Sequence, residues 1–209
     1  SDLFGVVIVT KDGKVFSAGD VDDVFSIQSV SKPFTAALVM AQQNPTVLKQ
    51  KIGVEPTGMA FNSKLGLAVY EDSVNPLVNA GAIAAVSLVQ ATSEEERWNK
   101  VLQNISDFAG RPLTVLEKVY ESEYTTAFGN RGIANLLYNW GRLYSEPEEA
   151  LRVYTKQCSV GVSAKDLGVM GATLANGGVN PVTKKPVMPA KDVPELLAVM
   201  ATAGFYDES

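Results

Sequence analysis

The sequence predicts an α/β (α+β) chain of two lobes, an antiparallel sheet flanked by helices plus a large helical lobe. Three observations carry this prediction. Strand-like apolar runs crowd residues 1–27, helical periodicity then governs the chain to about residue 203, and the stretch FSIQSVSK at 25–32 joins the two regimes. That join reads as the end of a strand running into the apolar helix PFTAALVM.

Taken in order, LFGVVIVT at 3–10 is a continuous apolar strand, Lys11-Asp12-Gly13 a turn, and Lys14 to Ala18 the returning strand of a hairpin. Val24 to Ile27 is a short third strand that delivers Ser29. Ala80 to Val89 is rich in small residues and predicts a buried, closely packed helix with Asn79 in cap position. Ser93 to Glu96 reads as a capping box, followed by Trp98, Val101, Leu102, Ile105 and Phe108 at helical spacing until Gly110 stops them. Leu113 to Glu123 and Arg131 to Tyr138 predict two helices with a break around Gly129. Pro147 opens another through Gln157. Ser163 caps a helix that ends at Gly177-Gly178, and Val193 to Ala203 is the last. Strands crowd the start and none is visible at the end. A lone hairpin leaves exposed edges, so carboxyl-terminal strands are expected to be missing from this chain.

Composition narrows the partners. The 209 residues are 46% apolar and 20% charged, as in an ordinary globular domain. With a net charge of −5 and no run of Lys or Arg, neither nucleic acid nor an anionic membrane is an expected partner. No apolar run reaches the length of a membrane span, and no secretory signal is visible at the amino end. The single cysteine, Cys158, suits a reducing cytoplasm. With no histidine and one cysteine, no metal site is expected.

Chemistry concentrates at Ser29 and Lys32, one helical turn apart. A serine at a helix start feels the positive end of the helix dipole, which favours charge on its oxygen. The same field and burial push a lysine amine toward its neutral, basic form. The pair is therefore a nucleophile with its general base built into the same turn. The absence of histidine excludes any Ser-His-Asp arrangement within the chain and leaves lysine as the natural base. The plainer alternative is a serine N-cap beside a solvated lysine.

Six stretches together resemble the serine-dependent glutaminases, a family with a β-lactamase-like fold. They are FSIQSVSK (25–32), GVEPTGMAFNS (53–63), NPLVNAGAIA (75–84), SEYTTAFGNRGIA (122–134), YTKQCSV (154–160) and GVMGATLANGGVNPVTKKPV (168–187). They run in family order, and the match is to the shorter bacterial type. The resemblance implies an amidohydrolase acting on linear amides, with Ser29 as nucleophile, Lys32 as base and Tyr154 beside them. Ser29 would attack the side-chain amide of L-glutamine, releasing ammonia and leaving a glutamyl ester for water to hydrolyse. It also implies that Asn79, Glu123, Asn130 and Tyr206 bind substrate together with Ser29 and Tyr154, with Gln28 beside the nucleophile in the same pocket. A carboxylate for the ammonium group, and amides and hydroxyls for the carboxylate, suit a zwitterionic amino acid. No cofactor and a homodimer or homotetramer are implied as well. For each residue a structural role stands beside the functional one: Asn79 as a helix cap, Asn130 at the break after Gly129, Glu123 on a solvated face, and Tyr154 as core packing.

Family domains begin before this chain does and continue past Ser209 into a Lys-Ser-Gly strand, with a final strand and helix. A backbone amide near that strand, with the amide of Ser29, is expected to form the oxyanion hole. The 209 residues thus read as one incomplete catalytic domain: strands and nucleophile turn at 1–32, a mainly helical lobe at about 33–190, and a helix returning to the sheet at about 191–209. Two rivals remain at this stage. One is another Ser-x-x-Lys acyl-transfer enzyme, a penicillin-binding protein or β-lactamase. The other is a non-catalytic helical binding domain.

Overall fold

The computed structural model describes residues 2–56, 58–64 and 75–206. Thr57, within one of the stretches quoted above, and Asp207 to Ser209 at the carboxyl end lie outside the described residues.

The amino-terminal hairpin forms as the apolar run and its turn predict. Strand β1 (Gly5–Val9) pairs antiparallel with β2 (Val15–Gly19), from Gly5 opposite Gly19 to Val9 opposite Val15. Val7 and Val9 pack against Gly168 on the helix Ala164–Ala175. A Cβ at Gly168 would lie 2.8 Å from Val9 and 3.0 Å from Val7, so the glycine lets helix and sheet meet. On the other face Val6, Ile8 and Phe16 are exposed.

The third strand forms within the expected Val24 to Ile27, shortened to two residues. Strand β3 (Phe25–Ser26) does not extend the hairpin; it pairs antiparallel with β4 (Gly161–Val162), which was not foreseen. The Ile27 amide donates to Val160 O at 2.9 Å, and Val160 also bridges Val115. Two-residue strands carry too little periodicity to be read from sequence. Their effect is large, because this tie sets the nucleophile turn beside the end of the helix that carries Tyr154.

A short 3₁₀ turn (Gln28–Ser31) leads directly into helix α1 (Lys32–Gln42). Helix α2 (Thr46–Lys51) follows, a short element not predicted. Helix α3 (Asn79–Leu88) is buried at every one of its ten residues, as its small side chains require. Its N-cap is Val78, and Asn79 is the first helical residue with no capping bond, which corrects the expected cap role. Gly81 gives α3 its close approach to the Asn75-Pro76 segment: a Cβ there would lie 1.8 Å from Asn75 O. Gly81→Ala is therefore expected to lower stability by about 1–3 kcal/mol, as overpacking does in a close-packed core, read as an earlier urea midpoint with unchanged m-value.

Helix α4 (Glu94–Ala109) ends on Gly110 in the left-handed conformation, as expected. Only half of its capping box forms. Ser93 accepts from the Glu96 amide at 3.1 Å, but the Glu96 carboxylate turns to Thr92, accepting from its N–H at 2.6 Å and its hydroxyl at 2.7 Å. The next two helices are α5 (Glu117–Thr125) and α6 (Phe128–Asn139). Their break falls at Thr126-Ala127, so Gly129 and Asn130 lie inside α6 rather than at its edge. Leu113, expected at the start of α5, instead sits buried in the preceding loop. Helix α7 (Pro147–Cys158) starts at the expected proline, and α8 (Ala164–Ala175) carries a complete Ser163/Asp166 capping box. Helix α9 (Val193–Ala203) matches its prediction and packs on α1, with Val199 and Ala203 against Leu77.

The main core lies where α1, α3, α4 and α7 meet. Phe34 and Phe108 pack with ring centroids 4.9 Å apart. Arg97 pairs with Glu149, and Arg152 grips Glu94 through bonds of 2.9 and 2.7 Å, clamping α4 to α7. Among the described residues no helix is long and apolar enough to cross a membrane.

Candidate active site

The turn that presents Ser29 is set by Gln28, whose φ of 51° is unusual for a residue with a side chain. Such a conformation persists where surrounding structure holds it. Here the β3–β4 pairing fixes one side, and Ser31 fixes the other by donating to Gln28 O at 2.6 Å. Ser29 stands in the first turn, where helix amides have no acceptor within the helix and stay available to an anion. In 3₁₀ geometry side chains three apart eclipse, which aligns Ser29 with Lys32 at the start of α1.

Lys32 is 1% exposed, so the alternative of a solvated lysine fails. Its amine donates to Asn79 Oδ1 at 2.8 Å and forms no ion pair among the described residues. Burial without a carboxylate pushes its pKa down from 10.5 to about 8, against a smaller opposing pull from Cys158. The reading of Ser29 as an N-cap fails too, since Ile27 precedes the 3₁₀ turn, Ser31 holds the cap position of α1, and Ser29 lines a cavity.

Asn79 is the hub. Its Oδ1 accepts from Lys32 and, at 3.3 Å, from the Tyr154 hydroxyl, while its Nδ2 donates to Asn130 Oδ1 at 3.0 Å. Helix α3 brings Asn79, α6 brings Asn130 and α7 brings Tyr154 to this one point. Tyr154 is 4% exposed, and burial holds its pKa well above 10, so the phenol remains a proton donor at neutral pH. It packs in the core and also presents its hydroxyl to the site, so the packing and functional readings are compatible.

Ser29, Asn79, Glu123, Asn130, Tyr154 and Gln28 line one cavity of about 370 Å³. Lys32 lies beneath it, joined through Asn79. Glu123 is exposed on α5, and its Oε1 lies 3.5 Å from Gln28 Nε2, at the outer limit of a hydrogen bond. The Lys32 amine bonds to Asn79 Oδ1 and not directly to Ser29. Tyr206 is placed differently from the rest. Its ring lies 5.8 Å from the Lys32 amine, but its hydroxyl donates to Leu77 O at 3.0 Å and is turned away from the cavity.

Phe61 and Cys158 are among the site residues not singled out from sequence. Phe61 lies over the Lys32 amine at 5.5 Å, and Cys158 lines the cavity with its sulfur 4.0 Å from the Ser31 hydroxyl. The four-residue spacing of Tyr154 and Cys158, which places both on one helix face, was the signal for the second. For Phe61 no local pattern existed.

The whole chain, residues 1–209, matches the family model described as Glutaminase. The glutaminase of Mycobacterium ulcerans (strain Agy99) is 50% identical over 210 residues, a match covering 100% of this chain and 66% of the relative. Among solved structures, the probable glutaminase ybaS superposes with a TM-score of 0.97 at 46% identity, covering 99% of this chain and 67% of that one. Mglu in its L-glutamate binding form superposes with a TM-score of 0.91 at 37% identity, covering 99% of this chain and 46% of that one. The chain spans 66% of the length of the first curated relatives it matches. Its α/β, β-lactamase-like fold is that of the solved glutaminases. With residues 1–209 matched by the family model and the fold shared, the chain belongs to the glutaminase family.

Proposed function

We propose that the chain is the catalytic part of an amidohydrolase that converts L-glutamine and water to L-glutamate and ammonia. The observation that carries this reading is the buried Lys32 amine, free of any described ion pair and one turn from a serine at a polar cavity. Neutral Lys32 takes the Ser29 proton as Oγ attacks the side-chain carbonyl carbon. The first-turn amide of Ser29 helps hold the resulting oxyanion. The carbon–nitrogen bond then breaks, and the departing nitrogen takes a proton from the lysine ammonium directly or through Tyr154. Water attacks the glutamyl ester with Lys32 again as base, releasing glutamate and restoring Ser29.

Glu123 receives the substrate ammonium, and Asn130 donates to its carboxylate. Asn79 joins them only by exchanging its Nδ2 bond to Asn130, since its Oδ1 is taken by Lys32 and Tyr154. Tyr206 contributes its hydroxyl only if it leaves Leu77 O. A solved relative that binds L-glutamate supports a cavity fitted to the proposed product. The same reading takes the protein as a homodimer or homotetramer in the cytoplasm, working without cofactor, nucleic acid or membrane. Nucleophile and base are both its own side chains.

The test is ammonia release by the full-length protein. Release from L-glutamine but not from L-asparagine is expected, since asparagine is one methylene too short to reach Ser29 while its ammonium sits at Glu123. Inertness toward glutamine together with hydrolysis of a chromogenic β-lactam would replace this reading with the penicillin-binding rival.

A further inference from the structure

Lys32 is 1% exposed although it lies beside an open cavity. Two rings from segments distant in sequence close over its amine. The Phe61 centroid lies 5.5 Å from Nζ, the Tyr206 centroid 5.8 Å, and the rings are 5.7 Å apart at 50°. Phe61 is itself 43% exposed, so a surface ring shields a buried base. Both rings are anchored: Phe61 O accepts from the Asn79 amide at 2.8 Å, and the Tyr206 hydroxyl is held by Leu77 O.

We propose that Phe61 is a positioning residue for the reaction, its ring, backed by Tyr206, sealing the Lys32 amine from water so that the base stays uncharged. The inference rests on Lys32 acting as the base. Two effects oppose each other at this ring. An aromatic face attracts a cation, which favours the protonated amine. The water it displaces would have solvated that cation far better, which favours the neutral one. With no described carboxylate paired to the amine, exclusion of water wins, in line with the downward displacement of Lys32.

The other groups facing the amine do not reverse this balance. Tyr154 and Cys158 on α7 are neutral at pH 7, since burial pushes the phenol up and the thiol to about 11. Tyr206 is displaced upward by burial as well. Glu123 on α5 and Lys64 line the same cavity with opposite charges.

The experiment is the pH profile of kcat/KM for glutamine in the full-length protein, comparing wild type, Phe61→Ala, Phe61→Leu and Lys32→Arg. Phe61→Ala is expected to move the alkaline-rising midpoint upward by about one pH unit or more, lowering the rate at pH 7 about tenfold while the plateau at high pH persists. Phe61→Leu, apolar but without a π face, is expected to keep the wild-type midpoint. A midpoint unmoved or lowered in Phe61→Ala overturns the seal, as does a Phe61→Leu midpoint displaced as far as that of alanine. A rising limb that survives in Lys32→Arg overturns the assignment of the base, and this inference with it.

Discussion

Ser29→Ala is expected to abolish turnover: under the proposed mechanism kcat for glutamine should fall about 10⁴-fold or more while glutamate binding measured by calorimetry stays within a fewfold. The size follows from the lack of a substitute. Of the other side chains lining the cavity the thiol of Cys158 is the strongest potential nucleophile, and burial pushes it up to about 11. It is therefore protonated at neutral pH, and a buried thiol is inert. Water is left to attack the amide directly, with Lys32 and the oxyanion donors in place but no covalent intermediate to divide the barrier. Acid-quenched wild-type enzyme should carry a glutamyl adduct on the peptide containing Ser29, and the variant none. Turnover by Ser29→Ala within tenfold of wild type would remove the covalent mechanism altogether.

Lys32 carries the second large effect, and it acts on activity and stability in opposite directions. With Lys32 as the proposed base, working uncharged, kcat/KM should rise tenfold per pH unit up to about 8 and level off above it. Lys32→Arg, which stays charged, should lose about 10³-fold or more and the rising limb with it. For stability, the folded-state pKa lies below the ordinary 10.5, so between about 8 and 10.5 the unfolded chain binds more protons than the folded one. Stability therefore rises with pH through that window, and the penalty is fully present below about pH 8. The displacement corresponds to roughly 3 kcal/mol. Lys32→Met removes that penalty but also the bond to Asn79, worth about 1 kcal/mol. The expected outcome is an inactive protein more stable at pH 7 by about 2 kcal/mol, seen as a later urea midpoint whose advantage vanishes toward pH 10.5.

Local signals carried much of the fold. The turn at Lys11-Asp12-Gly13, the all-small face of α3, the Gly110 stop, the opening Pro147 and the Ser163 cap all stand where their chemistry places them. The errors have a common origin. Gly129 predicts a break, yet α6 runs through it, because tertiary packing of Ile133, Ala134 and Leu137 outweighs a helix penalty of about 1 kcal/mol. Asn79 at the head of an apolar helix predicts a cap, because Asn favours caps. Its side chain has better partners in Lys32, Tyr154 and Asn130, none of them local.

Sequence alone determined the chemistry available here: a serine and a lysine one turn apart, no histidine to compete, and carboxylate and amide groups suited to an amino acid. That much is local, because helix geometry ties residues three apart whatever the rest of the chain does. Only the tertiary structure decided that the lysine is dry. Its burial depends on α3, on α7 and on two rings from residues 61 and 206, and desolvation is a property of everything packed around an atom rather than of its neighbours along the chain.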